Sequence, residues 1–308
     1  MEDKLVVTFN AGSSSLRCAV YKLAKDGPLQ IRSFGIRGLP IGMILTARDP
    51  FAGTHTETDL GAPSNPERAH PEALSHVFER VDDLTDLGTI CAFSHRIVHG
   101  GTEHAAPVLV TDDVFAKLSG LETLAPSHQP HNLRPIRRLQ EHYPSIPQVA
   151  CFDTAFHRTQ PRHAQIFGLP RALSDDGVIR YGFHGLSYDY IAHKLERSYP
   201  DLAGRRVIVA HLGHGVSMCA MQNGQSVATT MGMTALDGLP MGHRSGALDP
   251  GVVLHLLLDR GYSPEAVRDL LYTKSGLLGV SGISDEMNDL LASDRVEAAE
   301  AVDFFVYQ

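Results

Sequence analysis

The chain has few cysteines, no surplus of positive charge and no long unbroken apolar run. Its four cysteines, Cys18, Cys91, Cys151 and Cys219, stand far apart inside separate apolar stretches. That spacing argues against a disulfide framework or a cysteine metal site and predicts buried free thiols in a reducing cytoplasm. Lys and Arg number 27 against 35 Asp and Glu, a formal net charge of −8. With no basic excess to neutralise phosphates, no nucleic-acid partner is expected, while a local basic pocket for a small anion stays compatible with the balance. No apolar run is long enough to span a bilayer, so no membrane partner is expected either. The opening MEDKLVVTF lacks the basic segment and apolar core of a secretory signal. A cytoplasmic location is the expectation.

What is present is an ordinary globular composition, 43% hydrophobic and 20% charged over 308 residues, enough for two domains. The stretch 206–247 organises the chain. Residues 207–210 form a β-branched run, HLGHG at 211–215 breaks it, and residues 216–221 form a second apolar run before Asn223 and Gly224 turn the chain. Glycines in that break let the backbone bend and let a ligand approach its N–H groups. Downstream, Arg244 stands in another glycine-flanked turn, where a planar guanidinium suits a phosphate or a carboxylate. The N-terminus repeats the pattern: an apolar run at 5–9, the polar loop NAGSSS at 10–15, and a second run at 16–23. One such hairpin is common. Two of them suggest a duplicated domain with a loop from each half facing a shared cleft, the alternative being two unrelated hairpins in one α/β protein.

Elsewhere the spacing predicts short strands within 35–65, a helix over 66–81, a strand at 89–93, and a helix over 111–124 opened by a Thr-Asp-Asp cap. It predicts further helices at 132–142, 187–198, 250–260, 264–271 and 293–308, the last capped by Ser or Asp, and a strand at 146–152. The domain boundary is placed near Pro147, giving domains 1–146 and 147–308.

Polar residues repeatedly follow strand-like runs: Asn10, Arg96, Asp153 and His211. In α/β sheets ligands collect beyond the carboxyl ends of strands. Arg96 and Arg244 are therefore candidate anion clamps, and Asp153 a candidate metal ligand. The duller readings are a structural ion pair for Arg96, a helix N-cap for Asp153, and a backbone-bonded core histidine for His184. Among 17 histidines, His95 and His99 have the spacing of a helical zinc pair, but Arg-Ile-Val between them and Gly-Gly after them favour strand and turn. A serine nucleophile at 13–15 lacks the Gly-x-Ser-x-Gly elbow.

Eight motifs then settle the reading: NAGSSSLR, HRIVHGG, LAPSHQPHNL, CFDTAFHRT, RYGFHGLSY, HLGHGVSM, GLPMGHRSGALDPG and GLLGVSGISDEM. Their order resembles that of acetate kinases, over nearly the whole chain. The resemblance implies an α/β fold of duplicated ribonuclease-H-like domains around a central cleft, the actin-like ATPase architecture. It implies reversible phosphoryl transfer between ATP and acetate, giving ADP and acetyl phosphate, with Mg2+ or Mn2+ as cofactor and a homodimer as the assembly. By the same resemblance Arg96 and Arg244 bind the carboxylate and the transferring group, with His184 at that group and His128 close by. Asn10 and Asp153 would sit at the metal–phosphate centre, with Asn10 as a metal ligand, and Val98 and Phe183 would line the methyl pocket. The phosphate loops would be Asn10, Gly12, Ser13, Ser14 and Ser15, and His211, Gly213, His214 and Gly215. Because a carboxylate substrate is already ionised at neutral pH, Asp153 is read as orienting a metal rather than accepting a proton.

The chain departs from the family pattern at His214, where asparagine is usual, at Ala228 and Ala247, where aspartate is usual or frequent, and at Ser127 and Ala235, where leucine and proline are usual. The last two remove volume and point to a kinase for a longer acid such as propionate as an alternative. The family's adenosine-binding segment, a metal-associated glutamate and a final helix are not found after residue 308. This implies a C-terminally truncated member and sets a non-catalytic, anion-binding remnant beside the enzyme reading.

Overall fold

The structure is a computed structural model that describes residues 3–126 and 128–308. The chain divides into two compact units, Met1–Ala155 and Phe156–Gln308.

The first unit is built on one mixed sheet. Strands β1 (Lys4–Ala11), β2 (Ser15–Ala24), β3 (Gly27–Arg37), β4 (Ile44–Asp49) and β5 (Thr54–Asp59) form an antiparallel meander. β6 (Thr89–Ile97) lies parallel to the free side of β1, and β7 (Val108–Leu109) and β8 (Gln148–Phe152) extend the sheet to the order β5-β4-β3-β2-β1-β6-β8-β7. Alternation along β1 sends Leu5, Val7 and Phe9 into the core. The helix Ala69–Asp82 presents Ala73, Leu74, Val77, Phe78 and Val81 to the same core, a spacing that follows its 3.6-residue period. A second core, with Ile97, Leu118, Leu133, Ile136, Ala150 and Phe152, joins β6 and β8 to the helices Asp112–Gly120 and Gln129–His142. Thr111 caps the first of these, its Oγ1 accepting from Val114 N at 3.3 Å. The second begins earlier than the apolar spacing predicts, because Gln129 and Pro130 already occupy its first turn.

The division between units also differs from the expected boundary at 146/147. β8 pairs parallel with β6 and antiparallel with β7, so it belongs to the first sheet, and the first unit runs on to Ala155.

The second unit holds β9 (Arg206–Leu212), β10 (Val216–Gln222) and β11 (Gln225–Thr229), an antiparallel sheet of order β11-β10-β9. β9–β10 and β1–β2 are the same device, two antiparallel strands joined across a glycine loop and followed by a third antiparallel strand, as the repeated pattern implied. The helix Gly185–Ser198 packs Tyr188 and Ala192 against Cys219, Met221 and Val209. The helices Pro250–Leu258 and Pro264–Thr273 follow, each starting on a proline behind a capping Asp249 or Ser263. Leu277, Leu290, Ala298 and Ala301 make a separate small core with the final helix, Val296–Tyr307. The expected Ser or Asp cap of that helix is not found: Arg295 holds the N-cap position without a capping side-chain bond. All four cysteines are free, as their spacing predicted, but only Cys18 and Cys219 are buried, while Cys91 and Cys151 are partly exposed.

Candidate active site

In the first unit β1, β6 and β8 are parallel neighbours, so their carboxyl ends lie at one edge of the sheet. This places Asn10, Arg96 and Asp153 together although they are far apart in sequence. Arg96 lies opposite Cys151 in the ladder, and Asp153 stands just past β8 with its N–H bonded to Ile97 O at 3.0 Å. The guanidinium grips the carboxylate two-sidedly: Nε lies 3.1 and 3.2 Å from the two oxygens, and Nη2 lies 2.6 Å from Oδ2. Nη1 donates to Asn10 Oδ1 at 3.1 Å. Asp153 is 2% exposed, so the arginine is its replacement for water. The aspartate's charge in turn raises the pKa of Arg96 above its ordinary value. Of the two sequence readings of Asp153, the helix cap does not hold, since its carboxylate is committed to Arg96.

The loops beside this trio are fixed by the start of the Gln129–His142 helix. Asn132 Oδ1 accepts from Val98 N at 2.8 Å and its amide donates to Ala11 O. Gln129 brackets His99 through both backbone groups, at 3.2 and 3.0 Å. Val98 is buried at 5% exposure. His128 precedes the helix and donates its N–H to Ala125 O at 3.0 Å. Ser127 lies outside the described residues. The loop after Asn10 is a tight turn, with Gly12 N bonded to Ser15 O at 2.8 Å and Ser13 and Ser14 exposed. The zinc-like pair does not form on a helix: His95 in β6 is bonded to Gln148 Oε1 at 2.8 Å, and His99 Nδ1 accepts from Gly101 N at 3.0 Å. Burial pushes the His95 pKa down to about 4.

A second cluster is assembled in the second unit. His184 sits at the N-cap of the Gly185–Ser198 helix with a left-handed backbone, φ 59°, a strained conformation for a non-glycine residue. Its Nδ1 lies 2.8 Å from Ser217 Oγ, which also contacts Tyr188 Oη at 2.5 Å. Its ring stacks on His211 with centroids 4.0 Å apart. His211 Nδ1 lies 3.1 Å from Ser187 Oγ. The Arg244 guanidinium donates to Ala235 O at 2.6 Å. Among the described residues it has no carboxylate at ion-pair distance, and burial holds its pKa below the ordinary value, partly offset by Tyr272.

Arg244 and His184 converge on Gly215. A Cβ on Gly215 would lie 2.9 Å from Arg244 Nη2 and 2.9 Å from His184 Nε2, so glycine is what admits both groups to the loop backbone. Gly213 and His214, earlier in the same loop, are exposed. Phe183 is 2% exposed, and its carbonyl accepts from His157 Nε2 at 2.9 Å.

The residues singled out by sequence thus fall into two groups, Asn10, Arg96, Val98, His128, Asp153 and the serine loop in one unit, and Phe183, His184, His211, Arg244 and the glycine loop in the other. Sequence reasoning missed Ser217, Tyr188 and His157, which hold the second group in place. Ser217 carried one faint signal, a small polar residue at an inward position of β10 directly after the glycine loop.

Known proteins resemble the chain over nearly its whole length. The model of the acetokinase family matches residues 5–308. An acetate kinase of Rhodopseudomonas palustris is 48% identical over 316 residues, covering 100% of this chain and 77% of the relative. An acetate kinase of Methylocella silvestris is 44% identical over 320 residues, covering 99% and 77%. Among solved structures, an acetate kinase of Porphyromonas gingivalis aligns with TM-score 0.81 at 32% identity, and a propionate kinase of Francisella tularensis with TM-score 0.85 at 30% identity. Each of these structures covers 99% of this chain and is itself covered over 77%. The fold is that of the actin-like ATPases, and the chain belongs to the acetokinase family.

Proposed function

We propose that the chain carries out reversible transfer of the γ-phosphoryl group of ATP to acetate, giving acetyl phosphate and ADP. The observation that carries this reading is Arg244, a desolvated guanidinium with no carboxylate at ion-pair distance among the described residues, converging with His184 on the backbone of Gly215. A partly buried cation without a counter-charge among the described residues is a seat for an anion, and phosphoryl transfer consists mainly of positioning anions and stabilising their charge.

The chemistry needs little proton movement. A carboxylate oxygen of acetate forms a bond to the γ-phosphorus, and the bond from that phosphorus to the β–γ bridging oxygen breaks, leaving with ADP. Acetate is already ionised at neutral pH, so no base is required. Asp153 is engaged on both oxygens by Arg96, which suits it to orienting rather than to accepting a proton. Arg244 and His184 would hold the transferring group and Arg96 an anion beside Asn10. Asn10 and Asp153 offer the hard oxygen donors that Mg2+ or Mn2+ prefers, and because Arg96 engages these oxygens here, the two residues would hold such an ion through its bound water. When bound, the ion would neutralise charge on the phosphate oxygens. No helix among the described residues is long and apolar enough to cross a membrane. A cytoplasmic homodimer belongs to the same proposal, by family resemblance alone.

The test is acyl-phosphate formation, trapped as hydroxamate, from ATP, Mg2+ and acetate with the full chain. Acetyl phosphate formed by the chain and lost in Arg244→Ala is the expected result. Retained phosphate binding with no acyl phosphate from any short-chain acid would overturn the kinase reading in favour of an anion-binding remnant. Propionate is the second reading, favoured by Ala235, whose carbonyl holds Arg244 where family members usually carry proline. One methylene is worth roughly 1–3 kcal/mol in an apolar pocket. A preference for acetate over propionate of about a hundredfold or more would remove this reading.

A further inference from the structure

We propose that His214, His243 and Asp285 form a binding site for a divalent transition-metal ion of the zinc class, lying wholly within the second unit. One ligand atom from each of the three lies within 4.8 Å of the others. They come from separate segments: the loop between β9 and β10, the turn that carries Arg244, and the stretch before the helix Met287–Leu291. His243 Nδ1 is already 3.4 Å from Asp285 Oδ2, and His214 Nε2 is 2.9 Å from Glu286 Oε1. Two carboxylates and two imidazoles therefore face one small region, and a dication would offset the carboxylate charge there.

The backbone beneath the cluster is fixed. A Cβ on Gly242 would lie 2.9 Å from Asp285 O, so only glycine lets the His243 turn press this closely on the Asp285 segment. Leu278 N bonds to Gly242 O at 2.9 Å and Ser275 N to His243 O at 3.1 Å. Ser284 Oγ accepts from Glu286 N at 3.1 Å and donates to Asp289 Oδ2 at 2.7 Å. The side chains above this base keep about a third or more of their surface in solvent: 61% for His214, 37% for His243 and 35% for Asp285. A tetrahedral ion with bonds of about 2.0–2.1 Å needs ligand atoms about 3.3 Å apart. The ligand atoms, within 4.8 Å of one another, have at most about 1.5 Å to close.

The donor set selects the ion. Imidazole nitrogen suits zinc, cobalt, nickel and copper, whereas magnesium prefers oxygen throughout. Three protein ligands leave a fourth position for water or an anionic oxygen, with Glu286 as an adjacent charge. An ion held here ties the glycine loop to the turn bearing Arg244. His214 belongs to the glycine loop and His243 adjoins Arg244, so the site borders the proposed phosphate seat, and metal binding is measured separately from kinase turnover.

The test is titration of the full chain with Co2+, read by visible d–d absorption, followed by displacement with Zn2+ or Mg2+. The expected result is one equivalent of bound Co2+ with tetrahedral bands, displaced by Zn2+ and not by a large excess of Mg2+. His243→Gln and Asp285→Asn should each weaken Zn2+ binding by at least about tenfold, the lower end of what even outer-shell partners contribute. His255→Gln, which removes an exposed histidine of the helix Pro250–Leu258 paired with Asp259 at that helix's own end, should leave binding unchanged. Far-UV circular dichroism confirms that each variant is folded. Unchanged affinity in folded His243→Gln and Asp285→Asn, or displacement by Mg2+ as readily as by Zn2+, would overturn the proposal.

Discussion

Replacing Arg96 by alanine removes the sole ion-pair partner of a nearly fully buried carboxylate among the described residues. Asp153 is 2% exposed, and three guanidinium contacts between 2.6 and 3.2 Å take the place of its water. Breaking a buried pair by deleting one member costs about 3–5 kcal/mol, because an uncompensated charge stays behind. Arg96 keeps 34% of its side chain in solvent, so the lower end, about 3 kcal/mol, is the better figure. Neutralising the survivor should recover part of this loss: in Arg96→Ala with Asp153→Asn the remaining group is an amide, whose unmet hydrogen bonds cost about 1–3 kcal/mol. The double variant is therefore expected to be more stable than Arg96→Ala alone. The chain has no tryptophan, so urea unfolding is followed by far-UV circular dichroism, with hydrogen exchange of β6 and β8 reporting on the first unit. A loss below about 1 kcal/mol in Arg96→Ala, typical of a surface pair, would refute the reasoning. So would a double variant no more stable than the single one.

Three further predictions concern the second cluster and the buried histidines. Arg244→Ala should lower acyl-phosphate turnover by about 10²–10³, as removal of one preorganised donor does, and Arg244→Lys should recover little because it lacks the planar fork; near-normal turnover in the alanine variant would remove Arg244 from the site. Gly215→Ala puts a methyl group 2.9 Å from both Arg244 Nη2 and His184 Nε2, so turnover should fall on the order of a hundredfold with the fold intact by circular dichroism, and wild-type kinetics would contradict the convergence. Burial lowers the His95 pKa from 6.5 to about 4, so between these values the unfolded chain binds a proton that the folded chain does not. Stability contributed by neutral His95 is thus complete above about pH 6.5 and is lost as pH falls toward 4, by up to about 3 kcal/mol. A His95→Asn variant whose stability falls just as steeply over that range would show that another group is responsible.

The repeated strand, glycine loop, strand pattern was legible because alternation and glycine turns are local properties. The starts of the helices near Pro66, Thr111, Pro250 and Pro264 were legible for the same reason, since capping chemistry acts within a few residues. The helix Gln129–His142 starts three residues before its apolar spacing shows, because His128, Gln129 and Pro130 have a loop's composition although proline is tolerated in a first helical turn. The boundary at 146/147 failed on β8. A five-residue apolar strand carries no mark of which sheet it joins, and only its parallel pairing with β6 decides that.

By itself, then, the sequence determined the local elements, the free cysteines, the duplicated hairpin and, through eight ordered motifs, the family. It named Arg96, Asp153, His184 and Arg244 one at a time, each with a duller reading beside it. Only the tertiary structure decided that Arg96 holds Asp153 and Asn10, that Arg244 and His184 meet over Gly215, and that ligand atoms of His214, His243 and Asp285 come within 4.8 Å of one another. The physical reason is range. Propensity, periodicity and capping are set by neighbours within about one helical turn or one hairpin, whereas these contacts join segments brought together by strand order and by the close approach of glycine backbones.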